Sequence, residues 1–217
     1  MTRWLVCAAL LLGAVSVVLA QETGGIKEGK VYVSGENPVI RLSMKEGAAP
    51  VTTVSFWRVI YSPAGIGHVC YVTSDPTGNG ESPDDIRLAF TDNDALLDYL
   101  SKQIMSAFDK VYVERPFPAV RARFQKSGDT LKEWKETIKS DKYTIELVWK
   151  DFYEPFLLDT PAGGSRNPYG ITSLFIPAKQ AEVVINGKKV VGQPWPQMRG
   201  THQNSTAFLA FSETWVK

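Results

Sequence analysis

Apolar and polar residues alternate in short runs along most of the chain, and glycine, proline, asparagine and aspartate separate the runs. In 119–125, apolar side chains at even positions separate Arg121 from Arg123. In 143–151, an aromatic or aliphatic residue occupies each odd position up to Trp149. A period of two residues is that of a β-strand with one buried and one solvated face. The pattern therefore predicts a mainly β fold.

The strongest local signal is Asn186-Gly187, which stands between two short apolar runs. This pair accepts the positive φ angles of a type I′ turn, so it predicts a tight hairpin. The predicted strands are Lys30–Ser34, Val39–Met44, Val51–Tyr61, Gly67–Thr73, Asp85–Phe90, Ala119–Gln125, Tyr143–Asp151, Ile171–Ile176, Glu182–Ile185, Lys188–Val191 and Thr206–Val216.

One segment follows a helical period instead. Leu97, Leu100, Ile104 and Phe108 recur on one helical face after an N-cap signal at 91–94, which predicts an amphipathic helix over Asp92–Asp109. A second segment, Thr130–Lys139, is interpreted as a helix, because Leu131, Trp134 and Ile138 share a helical face, and a strand fits it nearly as well. Many short strands with one helix predict an antiparallel β-barrel or sandwich, lipocalin-like in size, with the amphipathic helix near 92–109 lying on the sheet.

The N-terminal segment has the form of a cleavable secretory signal. Arg3 precedes an uncharged apolar run from Leu5 to Leu19, and Ala20 ends a cleavage-like site. We therefore expect residues 1–20 to be a signal peptide cleaved after Ala20, residues 21–29 a flexible leader, and residues 30–217 a single β-rich domain. The expected location is secreted or periplasmic, and the run is too short and too cleavage-like for a membrane anchor.

The charge balance limits the classes of binding partner, and the cysteine content excludes an internal disulfide. Cleavage removes Arg3, one of the 24 basic residues, which leaves 23 basic against 23 acidic side chains. A neutral balance argues against nucleic acid and against a membrane surface as partners. Cleavage also removes Cys7 and leaves Cys70 without an internal disulfide partner, so the domain must be stabilised by its core. The sequence leaves the oligomeric state open.

Two long loops, 161–170 and 192–204, are candidates for binding, because function on a β scaffold often lies in loops. Their relation depends on Pro177. A turn at Pro177 would place the loops at opposite ends of the sheet, whereas a proline kink in one long edge strand from Ile171 to Ile185 would place them side by side. The sequence does not decide between these alternatives.

His68 and Cys70 share a strand face, about 6.6 Å apart at 3.3 Å per residue. That separation is too long for a direct thiolate–imidazole hydrogen bond, and zinc would need a third protein ligand. Free cysteine is among the most buried residue types, so we interpret Cys70 as a core thiol.

The segment 75–85 partly resembles the calcium-binding loop of EF-hand and dockerin-type proteins, with Gly80 at the sharp turn. It departs from that loop at Ile86, where the closing carboxylate is expected, and its flanks are predicted strands. An ordinary hairpin loop explains the same turn-forming residues. The calcium hypothesis, which implies the only cofactor we consider, names Asp75, Thr77, Asn79 and Asp85 as ligands.

Aromatic residues are the one compositional excess among candidate binding groups. Trp195 lies in a stiff Pro-Trp-Pro segment, where it would either stack against a sugar or aromatic group or close one end of the fold. Other aromatic side chains would line a ligand cavity or pack in an ordinary two-layer core. The candidate ligand contacts are Trp195, Trp57, Trp149, Arg121 and Tyr169.

No nucleophile elbow, dinucleotide fingerprint or phosphate-binding loop occurs in the chain. The leading hypothesis is therefore a non-enzymatic domain that binds a small apolar or aromatic ligand or a carbohydrate. The first alternative is an enzyme on a lipocalin-like barrel with interior carboxylates such as Glu146 and Asp151. The second alternative is a structural, partner-binding module.

Overall fold

A computed structural model describes residues 29–81, 85–163 and 168–217. The protein is mainly β, with 56% of the described residues in strands and 10% in helical segments. The strands are β1 Val31–Glu36, β2 Val39–Leu42, β3 Thr52–Tyr61, β4 Gly67–Ser74, β5 Ile86–Thr91, β6 Ala119–Arg121, β7 Arg123–Gly128, β8 Glu133–Lys139, β9 Thr144–Phe152, β10 Phe156–Thr160, β11 Gly170–Ile185, β12 Lys188–Lys189, β13 Pro196–Arg199, β14 His202–Ser205 and β15 Ala207–Val216.

The strands form one large mixed sheet and a separate hairpin. The sheet runs in the order β6-β5-β4-β3-β1-β15-β11-β9-β8-β7, with β2, β10 and β12 beside it, and β13 pairs with β14. The expectation of a purely antiparallel sheet is wrong, because β5 and β6 pair in parallel. The barrel alternative is also wrong: β6 and β7 end the ladder and pair with β5 and β8, not with each other.

The sheet folds over so that its two halves face each other across the main core. The Trp149 indole on β9 donates a 3.0 Å hydrogen bond to the Val39 carbonyl on β2, and Phe90 contacts Tyr143 edge to face. The buried side chains in this core include Ile40, Leu42, Phe56, Val72, Ile138, Ile145, Leu147 and Leu209. Cys70 lies among them and is fully buried, as its interpretation as a core thiol expects.

The helical segment covers the outer face of the sheet, as predicted, but it is not one regular helix. It comprises α1 Asp94–Tyr99, a π-helical turn Leu100–Ile104, a 3₁₀ turn Met105–Ala107 and a short helix α2 Val111–Glu114. The cap is Asn93, whose side chain accepts from the Leu96 amide. Leu96, Leu100 and Ile104 are fully buried against Trp57 and neighbouring residues in a second core.

Strand β11 passes through Pro177 without a turn, so the turn alternative is wrong. The strand is not the edge strand of the other alternative, because it has neighbours on both sides. Its first half, Gly170–Pro177, pairs with β15, and its second half, Ala178–Ile185, pairs with β9. Loop 161–170 joins the beginning of β11. The β13–β14 hairpin, which belongs to loop 192–204, packs instead near the middle of β11. There His202 stacks on Phe156, and Phe156 pairs with Phe175 of β11.

The predicted hairpin at Asn186-Gly187 is confirmed, with φ angles of 51° and 78° at its two turn residues. Segment 133–139 is a strand, which decides between the two interpretations of Thr130–Lys139. The sequence patterns missed β10 and the β13–β14 hairpin. The proposed signal peptide lies outside the described residues.

Among those residues, no helix combines the length and the apolar character that crossing a membrane requires.

Candidate functional site

The tryptophans singled out from the sequence have different environments. Trp149 lies in the main core and is bound to a backbone carbonyl across it. Trp195 is half-buried, and its indole donates a 3.2 Å hydrogen bond to the Ser43 carbonyl. Trp195 is therefore attached to the body of the fold, and it also lines a cavity of about 430 Å³. Trp57 is fully buried at the wall of a groove described below.

Arg121 and Tyr169 lie apart from Trp195. Arg121 is exposed and lies 3.4 Å from the Asp94 carboxylate at the start of α1. Tyr169 is buried in the second core, where its hydroxyl donates a 2.5 Å hydrogen bond to the Gln103 carbonyl. The sequence-derived ligand contacts thus do not converge on one site.

The interior carboxylates proposed for the enzyme alternative lie on the surface. Glu146 forms a 2.8 Å salt bridge with Lys135, and its neighbours Ile145 and Leu147 fill the core. Asp151 is exposed and accepts a 2.6 Å hydrogen bond from Gln180. The face of β9 opposite Glu146 is packed in the main core.

In segment 75–85, side-chain oxygens proposed as calcium ligands accept hydrogen bonds from the loop itself. Asp75 accepts from the amides of Gly78 and Gly80 at 2.7 Å and from Thr77, and these bonds lower the pKa of Asp75. Asn79 accepts from the Glu81 amide. Asp85 is exposed and directly precedes β5. Within the described ranges, no group of three or more histidine, cysteine or acidic side chains is arranged to hold a metal ion.

A charged network that the sequence did not reveal connects the two halves of the sheet. The Glu136 carboxylate is fully buried and accepts two 2.8 Å hydrogen bonds from Nη2 of Arg58 and one of 3.0 Å from the Trp134 indole. Arg58 also pairs with Glu36. Burial raises the pKa of Glu136, and the charge of Arg58 opposes that effect. The network therefore joins the two halves of the sheet by buried polar contacts.

His68 extends this network to a shallow cleft of about 540 Å³ lined in part by Asp92 and Arg121. Its Nδ1 lies 2.7 Å from Asp92, and its Nε2 lies 3.2 Å from Nε of Arg58. Arginine only donates, so Nε2 accepts and Nδ1 carries the proton. The nitrogen that a general base would use is therefore occupied by Arg58, and the His68–Asp92 pair is not arranged for proton abstraction.

A second concavity lies between the helical segment and the outer face of the sheet. This groove has a volume of about 350 Å³, and strands β2, β3, β11 and β15, together with residues 105–112, surround it. We call it the aromatic groove because its walls include Trp57, Phe108, Tyr112, Phe175, Phe208 and Trp215. Its size and apolar lining are those of a small-molecule site.

Glu213 is the buried acid of the aromatic groove. Its carboxylate accepts from the Trp215 indole at 2.8 Å and from the Asn37 side-chain amide at 3.1 Å, and the Ser173 hydroxyl, which donates to the Phe211 carbonyl, lies nearby. Burial raises the pKa of Glu213 to about 7, although these bonds and the nearby Arg199 lower it. The groove therefore contains a carboxyl group that titrates near neutral pH.

Two arginines also line the aromatic groove. Arg41 alternates on β2 with the core residues Ile40 and Leu42, so its side chain lies on the outer face. Arg199 comes from β13, and its guanidinium lies 5.0 Å from the ring centre of Phe175. Both retain exposed surface, yet the surrounding protein partly desolvates them and lowers the pKa of each.

One donor in the groove wall has no partner. The indole Nε1 of Trp57 is buried and makes no hydrogen bond within the part of the chain that the structure describes. A buried donor without an acceptor costs about 1–3 kcal/mol.

A β-bulge explains why sequence alternation missed Glu213. Phe208 and Ala210 pack on the outer face of β15, but the register shifts near Ser212, which has φ 50°. After the bulge, the odd residues Glu213 and Trp215 occupy the outer face. Strict alternation would instead have placed Glu213 in the apolar core beside Leu209. An acid at a core position was the available signal for a bulge.

A scan against protein-family models finds no match to this chain, and a search of curated proteins also finds none.

Proposed function

We propose that this chain is a secreted or periplasmic, non-enzymatic domain of sandwich-like β architecture that binds a small apolar or aromatic molecule in the aromatic groove. The observation that carries the proposal is the groove itself, about 350 Å³ in volume and lined by aromatic rings. Ligand sites are typically concave and mostly apolar, with a few polar groups that orient the ligand.

The polar groups at the groove walls are consistent with a binding role, because the described part of the fold does not use all of their hydrogen-bonding capacity. The unpartnered Trp57 indole and the exposed guanidinium of Arg41 lie at the groove walls. An aromatic ligand would stack or pack edge to face on the rings, and such contacts contribute about 0.5–1.5 kcal/mol each beyond burial of area.

Two neighbouring residues on β10 provide a matched test. Leu158 is half-buried and lines the groove, whereas Leu157 is 73% exposed and does not line it. Leu158→Trp adds bulk inside the groove, and Leu157→Trp adds the same side chain outside it.

The experiment is a titration with N-phenylnaphthylamine, a neutral aromatic dye that fluoresces in apolar surroundings. We expect saturable binding by the wild type and by Leu157→Trp, and at least about tenfold weaker binding by Leu158→Trp, which corresponds to about 1.4 kcal/mol. Absence of saturable binding to the wild type, or equal binding by both variants, would contradict the proposal.

A further inference from the structure

The charges of the aromatic groove indicate what kind of apolar ligand it takes. We propose that the ligand carries a carboxylate, which Arg41 and Arg199 bind together while its apolar part lies against the aromatic walls. This inference rests on the proposed function and adds the chemical class of the ligand to it.

The first observation is that the two arginines converge from different parts of the fold. Arg41 belongs to β2 of the large sheet, and Arg199 belongs to the separate β13–β14 hairpin. Burial lowers the pKa of Arg199, the charge of Glu213 raises it, and the charge of Arg41 lowers it, so Arg199 lies within electrostatic range of both groups. Both line the same groove.

The second observation is that the hairpin is fixed where it presents Arg199. Its His202 stacks on Phe156 with the ring centres 4.6 Å apart and the planes within 4°. Arg199 itself lies over Phe175. The hairpin also bonds to the body of the fold: the Trp195 amide donates to the Thr206 hydroxyl, which donates to the Arg41 carbonyl. These contacts join the hairpin to the backbone of β2 at Arg41 and hold the Arg199 guanidinium over Phe175.

The third observation is that this positive charge is not neutralised by salt bridges. Neither Arg41 nor Arg199 forms an ion pair with any carboxylate in the described ranges. Glu213 offsets part of the charge of Arg199 from its own buried position, and two like charges in a partly desolvated place still favour an anion beside them. A carboxylate matches the planar, forked donors of guanidinium groups and forms paired, charge-assisted hydrogen bonds with them.

The two acids of the groove are consistent with one negative charge on the ligand. Asp109 accepts from the Val111 amide and so is held in its own turn. Glu213 is buried and already accepts from Asn37 and Trp215. Both acids would repel a dianion more strongly than a monoanion, because the Coulomb energy scales with the charge. A cationic ligand at Glu213 would be repelled by the neighbouring Arg199.

Two naphthalene derivatives separate charge from shape. Naphthoate carries the carboxylate, and naphthamide has nearly the same shape without the charge. Calorimetric titration of the full processed domain measures both affinities in the wild type, Arg41→Gln, Arg199→Gln and Arg123→Gln. Arg123 is exposed on β7, away from the groove, so its variant is the control for loss of one positive charge.

We expect the wild type to bind naphthoate about tenfold more tightly than naphthamide, as charge-assisted hydrogen bonds predict. Arg41→Gln and Arg199→Gln should each lose most of that preference while keeping the affinity for naphthamide, which also shows that the variant is folded. Arg123→Gln should keep the preference.

Equal wild-type affinities for the two compounds, or a preference that survives in both groove variants, would overturn the inference and leave the proposed function intact. Failure of the wild type to bind naphthamide, naphthoate and N-phenylnaphthylamine would instead contradict the proposed function itself.

Discussion

The Trp215 indole donates a 2.8 Å hydrogen bond to the Glu213 carboxylate, two residues earlier on the same strand. This contact is possible because both side chains lie on the outer face of β15 after the bulge at Ser212. It joins a wall of the aromatic groove to its buried acid, so changes at either residue report on the same site.

Glu213 makes the stability of the fold depend on pH. Its pKa rises from the ordinary 4.5 to about 7 in the folded state, mainly through burial. The folded state then binds more protons than the unfolded state between these values, and the free energy of unfolding decreases as the pH rises through this window. The loss amounts to roughly 3 kcal/mol when complete.

Glu213→Gln removes this titration. We expect the free energy of unfolding of the variant, measured in urea, to lose roughly 3 kcal/mol less than that of the wild type between about pH 4.5 and about pH 8. Glu136, whose pKa is also raised, is common to both proteins and cancels in the comparison. Parallel pH profiles of the two proteins would show that Glu213 does not titrate in this window.

Binding of naphthoate should also depend on pH. A carboxylate bound beside Glu213 favours its protonated form, so binding takes up a proton and becomes several-fold tighter from about pH 8 to about pH 6. The charged and titratable groups lining the groove around Glu213 are Arg199, Arg41, Asp109 and Tyr112. In calorimetry, Glu213→Gln should bind with little pH dependence in this window. A slope that persists in the variant would assign it to another group.

The Arg58–Glu136 pair should contribute strongly to stability because Glu136 is fully buried. Glu136→Gln leaves the Arg58 charge less well compensated, and we expect about 3 kcal/mol of destabilisation in urea unfolding. Glu146→Gln, which removes a partly exposed salt bridge with Lys135, is the control and should cost less than about 1 kcal/mol. Equal losses of stability in the two variants would contradict the expectation that the buried network stabilises the fold more than a partly exposed salt bridge does.

Ser212 tests the bulge that places Glu213 in the groove. Its φ of 50° disfavours β-branched side chains, so Ser212→Val should destabilise the fold by roughly 1–2 kcal/mol. Ser212→Gly should cost little, since glycine adopts this conformation freely. Ser127→Val, at an exposed strand position, is the control and should change stability by less than about 0.5 kcal/mol. A tolerated valine at position 212 would argue against the bulge.

Much of the β framework could be predicted because it depends on local patterns. The alternation in 143–151 and the turn at Asn186-Gly187 both correspond to the observed strands and hairpin. The helical segment was predicted from the spacing of Leu97, Leu100 and Ile104, although its π-helical turn carries no local signal that we recognised.

The groove could not be predicted because its parts are distant in sequence and depend on departures from alternation. Glu213 reaches the outer face only through a bulge, and Arg199 lies on a polar hairpin that lacks apolar alternation. Trp57 was selected as a ligand contact, but so was Trp149, which lies in the core. Composition identified the aromatic residues, and only the three-dimensional arrangement separates those of the groove from those of the core.

The most direct test of the aromatic groove is the NMR spectrum of the tryptophan indole N–H groups during titration with N-phenylnaphthylamine. Trp57 and Trp215 line the groove, whereas Trp134 and Trp149 lie in the main core and Trp195 is bound to Ser43. With resonances assigned by single Trp→Phe variants, we expect the signals of Trp57 and Trp215 to shift with dye concentration while the other three stay in place. Shifts confined to Trp195, or none at saturating dye, would contradict binding in the groove.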